Sequence, residues 1–185
     1  MSALLLRTTT GSATAARRKR VGDSAEAEVQ RALDSAARAG LAWITKRPTP
    51  VRVTSVRGGR VTGFFERSPG VDYCGTLRGG RAVYLEVKSC ARGTLSLDVL
   101  EREQREELAR VAALGAVAAV VVRWRPPTAR GRAAIGGREV AWCVVPWSVV
   151  AAALGNKARS LDAATLARFS CDAGRLWVEL LEERP

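Results

Sequence analysis

The sequence predicts one mixed α/β domain, a β-sheet flanked by helices. Three observations carry this. Period-two alternation and helical periodicity succeed each other in the order helix, strands, helix, strand, strand, helix. The 185 residues suit a single domain with its own core. No internal repeat points to a solenoid or array.

Residues 1–20 contain no acid and end in Arg17-Arg18-Lys19-Arg20. They read as a flexible basic arm, with residues 21–185 as the folded domain. An organellar transit peptide has the same composition, but nothing else in the chain points to an organelle. A helix follows over Gly22–Ala39. Asp23 or Ser24 can cap it, and Ala25, Val29, Ala32, Leu33 and Ala36 form its apolar stripe. Gly40 ends it. Leu41–Ile44 is a short strand, and Pro48 and Pro50 then force an extended segment. Val51–Val56 and Arg60–Glu66 flank a Gly58-Gly59 turn and form a hairpin. Arg52, Arg57, Arg60 and Arg67 make it basic. With little apolar surface of its own, it is expected to project, over about residues 50–68.

A second hairpin joins Val71–Thr76 to Arg81–Ser89. Asp98–Leu114 then reads as one amphipathic helix. Leu97, Leu100, Gln104, Leu108 and Val111 line one side; Glu101, Arg102, Arg105, Glu106 and Arg110 line the other. Gly115 stops it. Ala116–Trp124 is a buried strand, Pro126–Gly137 a polar loop, Val140–Val145 a strand and Trp147–Leu154 a helix. Ser160 is expected to cap a helix over Leu161–Phe169, and Leu176–Leu181 to form a last strand. Trp124, Trp142 and Trp147 belong to the core.

Thirty Lys and Arg against 18 Asp and Glu leave a formal charge of +12, with a pI near 10.9. A polyanionic partner follows, nucleic acid first and an anionic membrane surface second. High-GC coding also enriches Arg and Ala, but accounts poorly for this excess. The absence of histidine excludes His general bases, Ser-His and Cys-His pairs and His-containing zinc sites. The four cysteines form no C-x-x-C pair and read as free thiols of a reducing cytoplasm. No apolar run is long enough to span a membrane.

The chemistry concentrates on the second hairpin. Glu86 and Lys88 in Tyr84-Leu85-Glu86-Val87-Lys88 share one strand face. If the preceding segment folds back, Asp72 joins them. Two carboxylates and an amine can hold a divalent metal and activate a water. In so basic a chain the anion to be attacked is a nucleic-acid phosphate. Each residue also has a plain reading. Asp72 follows Gly-Val at a turn, where Asp is a common turn former. Glu86 and Lys88 alone match a surface ion pair. An acid inside an apolar strand, however, is costly when unpaired.

Asp72…Glu86-Val87-Lys88 is similar to the core of the PD-(D/E)XK nucleases. The wider pattern resembles the RecU-type Holliday junction resolvases. It comprises Gly22-x-x-x-Glu26, Ile44-x-Lys46-x-Pro48-Thr49-Pro50-Val51, Asp72-Tyr73-x-Gly75, the Gly79-Gly80 turn into Glu86-x-Lys88, Gln104, and Gly155-x-Lys157-x-Arg159-Ser160. Together these span roughly residues 20 to 170. The resemblance implies a restriction-endonuclease-like fold, a homodimer cutting opposing strands of a four-way DNA junction, and dependence on Mg²⁺, with Mn²⁺ as substitute. It implies that Asp72 and Glu86 bind the metal, with the Val87 carbonyl and Gln104 as further contributors. Lys88 would orient water or stabilise transition-state charge, and Glu26 would stand near the site. The basic hairpin would be a stalk entering the junction centre. Arg52, Arg57, Arg60 and Arg67 would contact DNA there, Lys46 and Arg47 are further expected DNA contacts, and the Arg17-Arg18-Lys19-Arg20 cluster would grip the arms. Phe64 and Phe65 would stack on unpaired bases, or pack between subunits. Two departures stand out. Gly70 occupies a position that often carries a hydroxyl, and the stalk is short. Another metal-dependent DNase of this fold, or an inactive architectural DNA-binding protein, would share much of this pattern.

Overall fold

The computed structural model describes residues 25–66, 70–90, 93–124 and 141–171. The Arg17–Arg20 arm, the Asp23 and Ser24 cap, Arg67, the 126–137 loop and the 176–181 strand lie outside them.

The first helix, α1, includes residues 25–38. β1 (Ala42–Lys46), β4 (Tyr73–Leu77), β5 (Ala82–Cys90), β7 (Val117–Trp124), β8 (Ala141–Pro146) and β10 (Ser170–Cys171) form one sheet in the order β1-β4-β5-β7-β8-β10. β5 and β7 run parallel, and the other neighbours are antiparallel. The sheet is therefore mixed, as expected. β7 shows why the centre is so apolar. Val117, Ala119 and Val121 face the α1 side with Val29 and Leu33. Ala118, Val120 and Val122 face the opposite side, against α2 (Arg102–Ala113) and α3 (Trp147–Gly155). A strand covered on both faces needs a continuous apolar run, which Val117–Val122 supplies.

Two expected boundaries are corrected. The helix proposed from Asp98 begins instead as a 3₁₀ turn, Leu97–Val99, followed by extended Leu100 and then α2. The break buries both Leu97 and Leu100. The Arg105 guanidinium donates to the Leu100 carbonyl at 2.7 Å and to the Leu97 carbonyl at 3.2 Å, the latter also accepting the Leu100 amide. Ser160 does not cap a helix. Ser160–Leu161 forms a short strand, β9, paired with Leu95–Ser96, β6. The cap is Asp162, whose carboxylate accepts from the Thr165 amide at 2.8 Å ahead of α4, Ala163–Arg168.

β2 (Val51–Arg57) and β3 (Arg60–Phe65) make a separate two-stranded sheet in which every residue is exposed. The expectation of little apolar surface is wrong, and the register shows why. A bulge between Val53 and Ser55 shifts the alternation by one residue. The Thr54 hydroxyl pins it by donating to the Thr62 carbonyl at 3.1 Å. Cross-strand partners share a face, so Val51, Val53, Val56, Val61 and Phe65 line one face with Gly63. A methyl at Gly63 would sit 2.5 Å from the Arg52 carbonyl oxygen, so glycine permits the strands to approach. Arg52, Ser55, Arg57, Arg60, Thr62 and Phe64 line the other face.

Candidate active site

β4 and β5 pair antiparallel up to Tyr73 and Leu85, where the ladder stops. Asp72 lies one residue beyond, opposite Glu86. Side-chain bonds replace the missing ladder. The Val87 amide donates to Asp72 Oδ2 at 2.9 Å. The Asp72 amide donates to Glu86 Oε2 at 3.2 Å. Lys88 Nζ lies 2.5 Å from Glu86 Oε1, and Gln104 Nε2 donates to the same oxygen at 2.8 Å. Asp72, Glu86, Lys88 and Gln104 thus meet at one point. Alternation explains the strand half of this: Tyr84, Glu86 and Lys88 face α2, while Leu85 and Val87 pack on the α1 side.

Glu86 is fully buried. Burial pushes its carboxyl up to about 7; the Asp72 charge adds to the rise and Lys88 opposes it. Burial also raises Asp72, with the Val87 amide and Lys88 opposing and Glu26 adding. Two desolvated carboxylates that each resist ionisation favour a shared cation. Among the described residues no cluster of three or more His, Cys, Asp and Glu could hold a metal. Asp72 and Glu86 are the two carboxylates that could hold a divalent cation, with neutral backbone and water oxygens completing its shell.

Gln104 is held from both ends. Its Oε1 accepts from the Glu101 amide at 3.0 Å at the start of α2, which leaves Nε2 to face Glu86. Gln104 therefore orients a carboxylate, whereas the resemblance left open direct contact with the metal. Glu26 on α1 forms an ion pair with Lys46, and its carbonyl accepts from the Tyr73 hydroxyl at 3.4 Å. Its charge reaches Asp72 without a direct bond.

Arg47, expected to grip DNA, turns inward. Its Nη1 straddles both Glu107 oxygens at 2.6 and 2.7 Å. Glu107 Oε2 also accepts from the Val71 amide at 2.8 Å. The Gly70 departure has a steric cause here: a methyl at Gly70 would lie 1.8 Å from Glu107 Oε2. Glu107 was not anticipated. The available signal was its position three residues after Gln104, on the same helix face.

Arg57 and Arg60 flank the hairpin tip, while Phe64 and Phe65 pair with Arg52 and Val51 at its base. The phenylalanines are thus far from the tip, Phe64 on the basic face and Phe65 on the apolar one. Arg52 is bound to Glu66 at 2.9 Å.

The 1.6 Å structure of Archaeoglobus fulgidus Hjc, a Holliday junction resolvase from an archaeal hyperthermophile, is similar at 17% identity and a TM-score of 0.47. The match covers 84% of this chain and 98% of that chain. No curated protein matches. The sheet is mixed, and Asp72 stands at a turn beside Glu86-Val87-Lys88 on the next strand. The family model described as RecU, recombination protein U, matches residues 20–128. With more than half of its length matched, the chain belongs to the RecU family.

Proposed function

We propose that this chain is a Holliday junction resolvase, an endonuclease that hydrolyses phosphodiesters of four-way DNA junctions with a divalent cation, Mg²⁺ or Mn²⁺. One observation carries the reading: Glu86, fully buried, is bonded to Asp72, Lys88 and Gln104 at the end of a broken strand ladder. A surface ion pair would not be desolvated and braced from three elements.

Asp72 and Glu86 hold the cation through carboxylate oxygen. In a strand the N–H and C=O of one residue project to the same edge, so the Val87 carbonyl stands on the side where its amide meets Asp72. The cation supplies Lewis acidity and lowers the pKa of water. Lys88, anchored on Glu86, places a positive charge where negative charge grows on the phosphate in the transition state. Gln104 fixes the rotamer of Glu86, and Lys46 neutralises Glu26 beside the site.

The two-faced hairpin supports the rest. Its arginines Arg57 and Arg60 meet phosphate near the junction centre, with Phe64 on the same face. Its apolar face, with Phe65, packs against a second copy and makes a homodimer with two sites for opposing strands. Residues 1–20 and Arg67 add phosphate contacts. No helix among the described residues is long and apolar enough to cross a membrane. The four cysteines, none in a C-x-x-C pair, fit the expected reducing cytoplasm.

The test mixes the purified chain with a synthetic four-way junction and a linear duplex of matching sequence, in Mg²⁺ and in EDTA. Paired symmetric nicks in the junction alone are expected. Equal cutting of both substrates would point to a general DNase, and binding without cutting under any metal would remove the catalytic reading.

A further inference from the structure

The turn carrying Asp72 is held by the backbone after β1 and by a side chain of α2. Beyond the last strand pair, Lys46 with Tyr73, the Arg47 amide donates to the Asp72 carbonyl at 2.8 Å. The Arg47 side chain then runs to Glu107, and Glu107 accepts the Val71 amide. Val71 is fully buried, so this amide would otherwise need another acceptor. Glu107 stands one turn beyond Gln104 on α2. One helix face therefore fixes both carboxylates, Glu86 through Gln104 and Asp72 through the backbone that precedes it.

We propose that Glu107, oriented by Arg47, is a positioning residue that aims the Asp72 carboxylate, and that Arg47 serves this pair rather than DNA. The inference rests on Asp72 and Glu86 being the metal pair. Three features fit it. The Arg47 and Glu107 side chains are only 29% and 21% exposed, so solvent screens the pair weakly. Gly70 leaves room for a carboxylate that any side chain there would displace. The Val71 amide needs a hydrogen-bond acceptor, which an ion pair alone does not provide.

Mn²⁺ binding to the DNA-free full-length chain, followed by electron paramagnetic resonance titration, tests this, with thermal melts in EDTA reporting folding. Glu107→Ala is expected to weaken Mn²⁺ binding about tenfold while the chain stays folded. Gly70→Ala, which displaces Glu107 without touching Asp72, is expected to do the same. Glu107→Gln keeps an oxygen for the Val71 amide and should bind close to the parent. The swapped pair Arg47→Glu with Glu107→Arg restores the charges but offers Val71 no acceptor, and should remain weak. Parent-like affinity in folded Gly70→Ala, or in the swapped pair, overturns the proposal. If Glu107→Ala does not fold, Glu107→Gln against the swapped pair decides. Asp72→Asn separates the two levels. If it binds Mn²⁺ like the parent, the metal-pair reading fails. If it loses Mn²⁺ while the Glu107 and Gly70 variants keep it, only the positioning role fails.

Discussion

The Asp72 amide donates to Glu86 Oε2 at 3.2 Å, so the two acids are joined through backbone as well as through charge. Neither can move without disturbing the other, and Val87 closes the ring by donating to Asp72. Asp72→Asn keeps an oxygen for the Val87 amide but removes the charge. We expect the variant to fold, to bind the junction in EDTA as tightly as the parent, and to lose cleavage by at least about a hundredfold. Gel-shift and nicking assays on one preparation check both halves. Retained cleavage would take Asp72 out of the site.

Glu86 makes the metal-free protein sensitive to pH. Its carboxyl stands at about 7 in the fold against an ordinary 4.5. Below 4.5 both folded and unfolded chains hold the proton and nothing is lost. Between 4.5 and 7 the unfolded chain releases it first, so stability falls as pH rises, and the loss is complete above 7. The full loss is on the order of 3 kcal/mol. Melting in EDTA should therefore occur roughly 5–10 °C lower at pH 8 than at pH 5. A cation on the carboxylates reverses this, so Mg²⁺ should raise the melting point more at pH 8 than at pH 5. A Glu86→Gln variant with the same pH slope as the parent would assign the effect elsewhere.

Gln104 should matter for more than its own packing. Gln104→Ala removes the Gln104 acceptor from the Glu101 amide and one of three donors from Glu86. A destabilisation of about 1–3 kcal/mol is expected. The Mg²⁺ concentration giving half-maximal cleavage should also rise. Gln104→Glu repels Glu86 and should be worse for metal-dependent cleavage than alanine. Denaturant melts and Mg²⁺ titrations check the two parts separately, and an unchanged Mg²⁺ requirement would make Gln104 a purely structural residue.

The heart of the site was readable because it obeys strand periodicity. Glu86 and Lys88 interrupt an apolar strand two residues apart, and an acid there needs partners. The support around them was not readable. Spacing from Gln104 is the one signal Glu107 carries in Glu101-Arg102-Glu103-Gln104-Arg105-Glu106-Glu107, and only the Gly70 turn placed against α2 separates it from the solvated acids beside it. Arg47 looks like one more basic residue next to Lys46, and only the fold shows that it turns inward. The 3₁₀ break before α2 was hidden because Leu97 and Leu100 keep helical spacing across it. The apolar face of the hairpin was hidden for the opposite reason. A single bulge residue, Thr54, breaks the alternation that would have revealed it.

That bulge yields the sharpest test of the hairpin. In a regular strand Val53 and Ser55 would share a face; here Val53 pairs with Gly63 on the apolar face and Ser55 with Thr62 on the basic one. Val53→Glu buries a charge if the apolar face meets a second copy, at a cost of several kcal/mol. We expect it to shift sedimentation from dimer toward monomer. Ser55→Glu puts the same charge among Arg52, Arg57 and Arg60. It should leave the assembly intact and weaken junction binding. Arg57→Ala and Arg60→Ala should each lower the salt dependence of that binding by about one unit in the log–log slope. If Val53→Glu and Ser55→Glu behave alike in both sedimentation and binding, the hairpin does not divide its work between its faces.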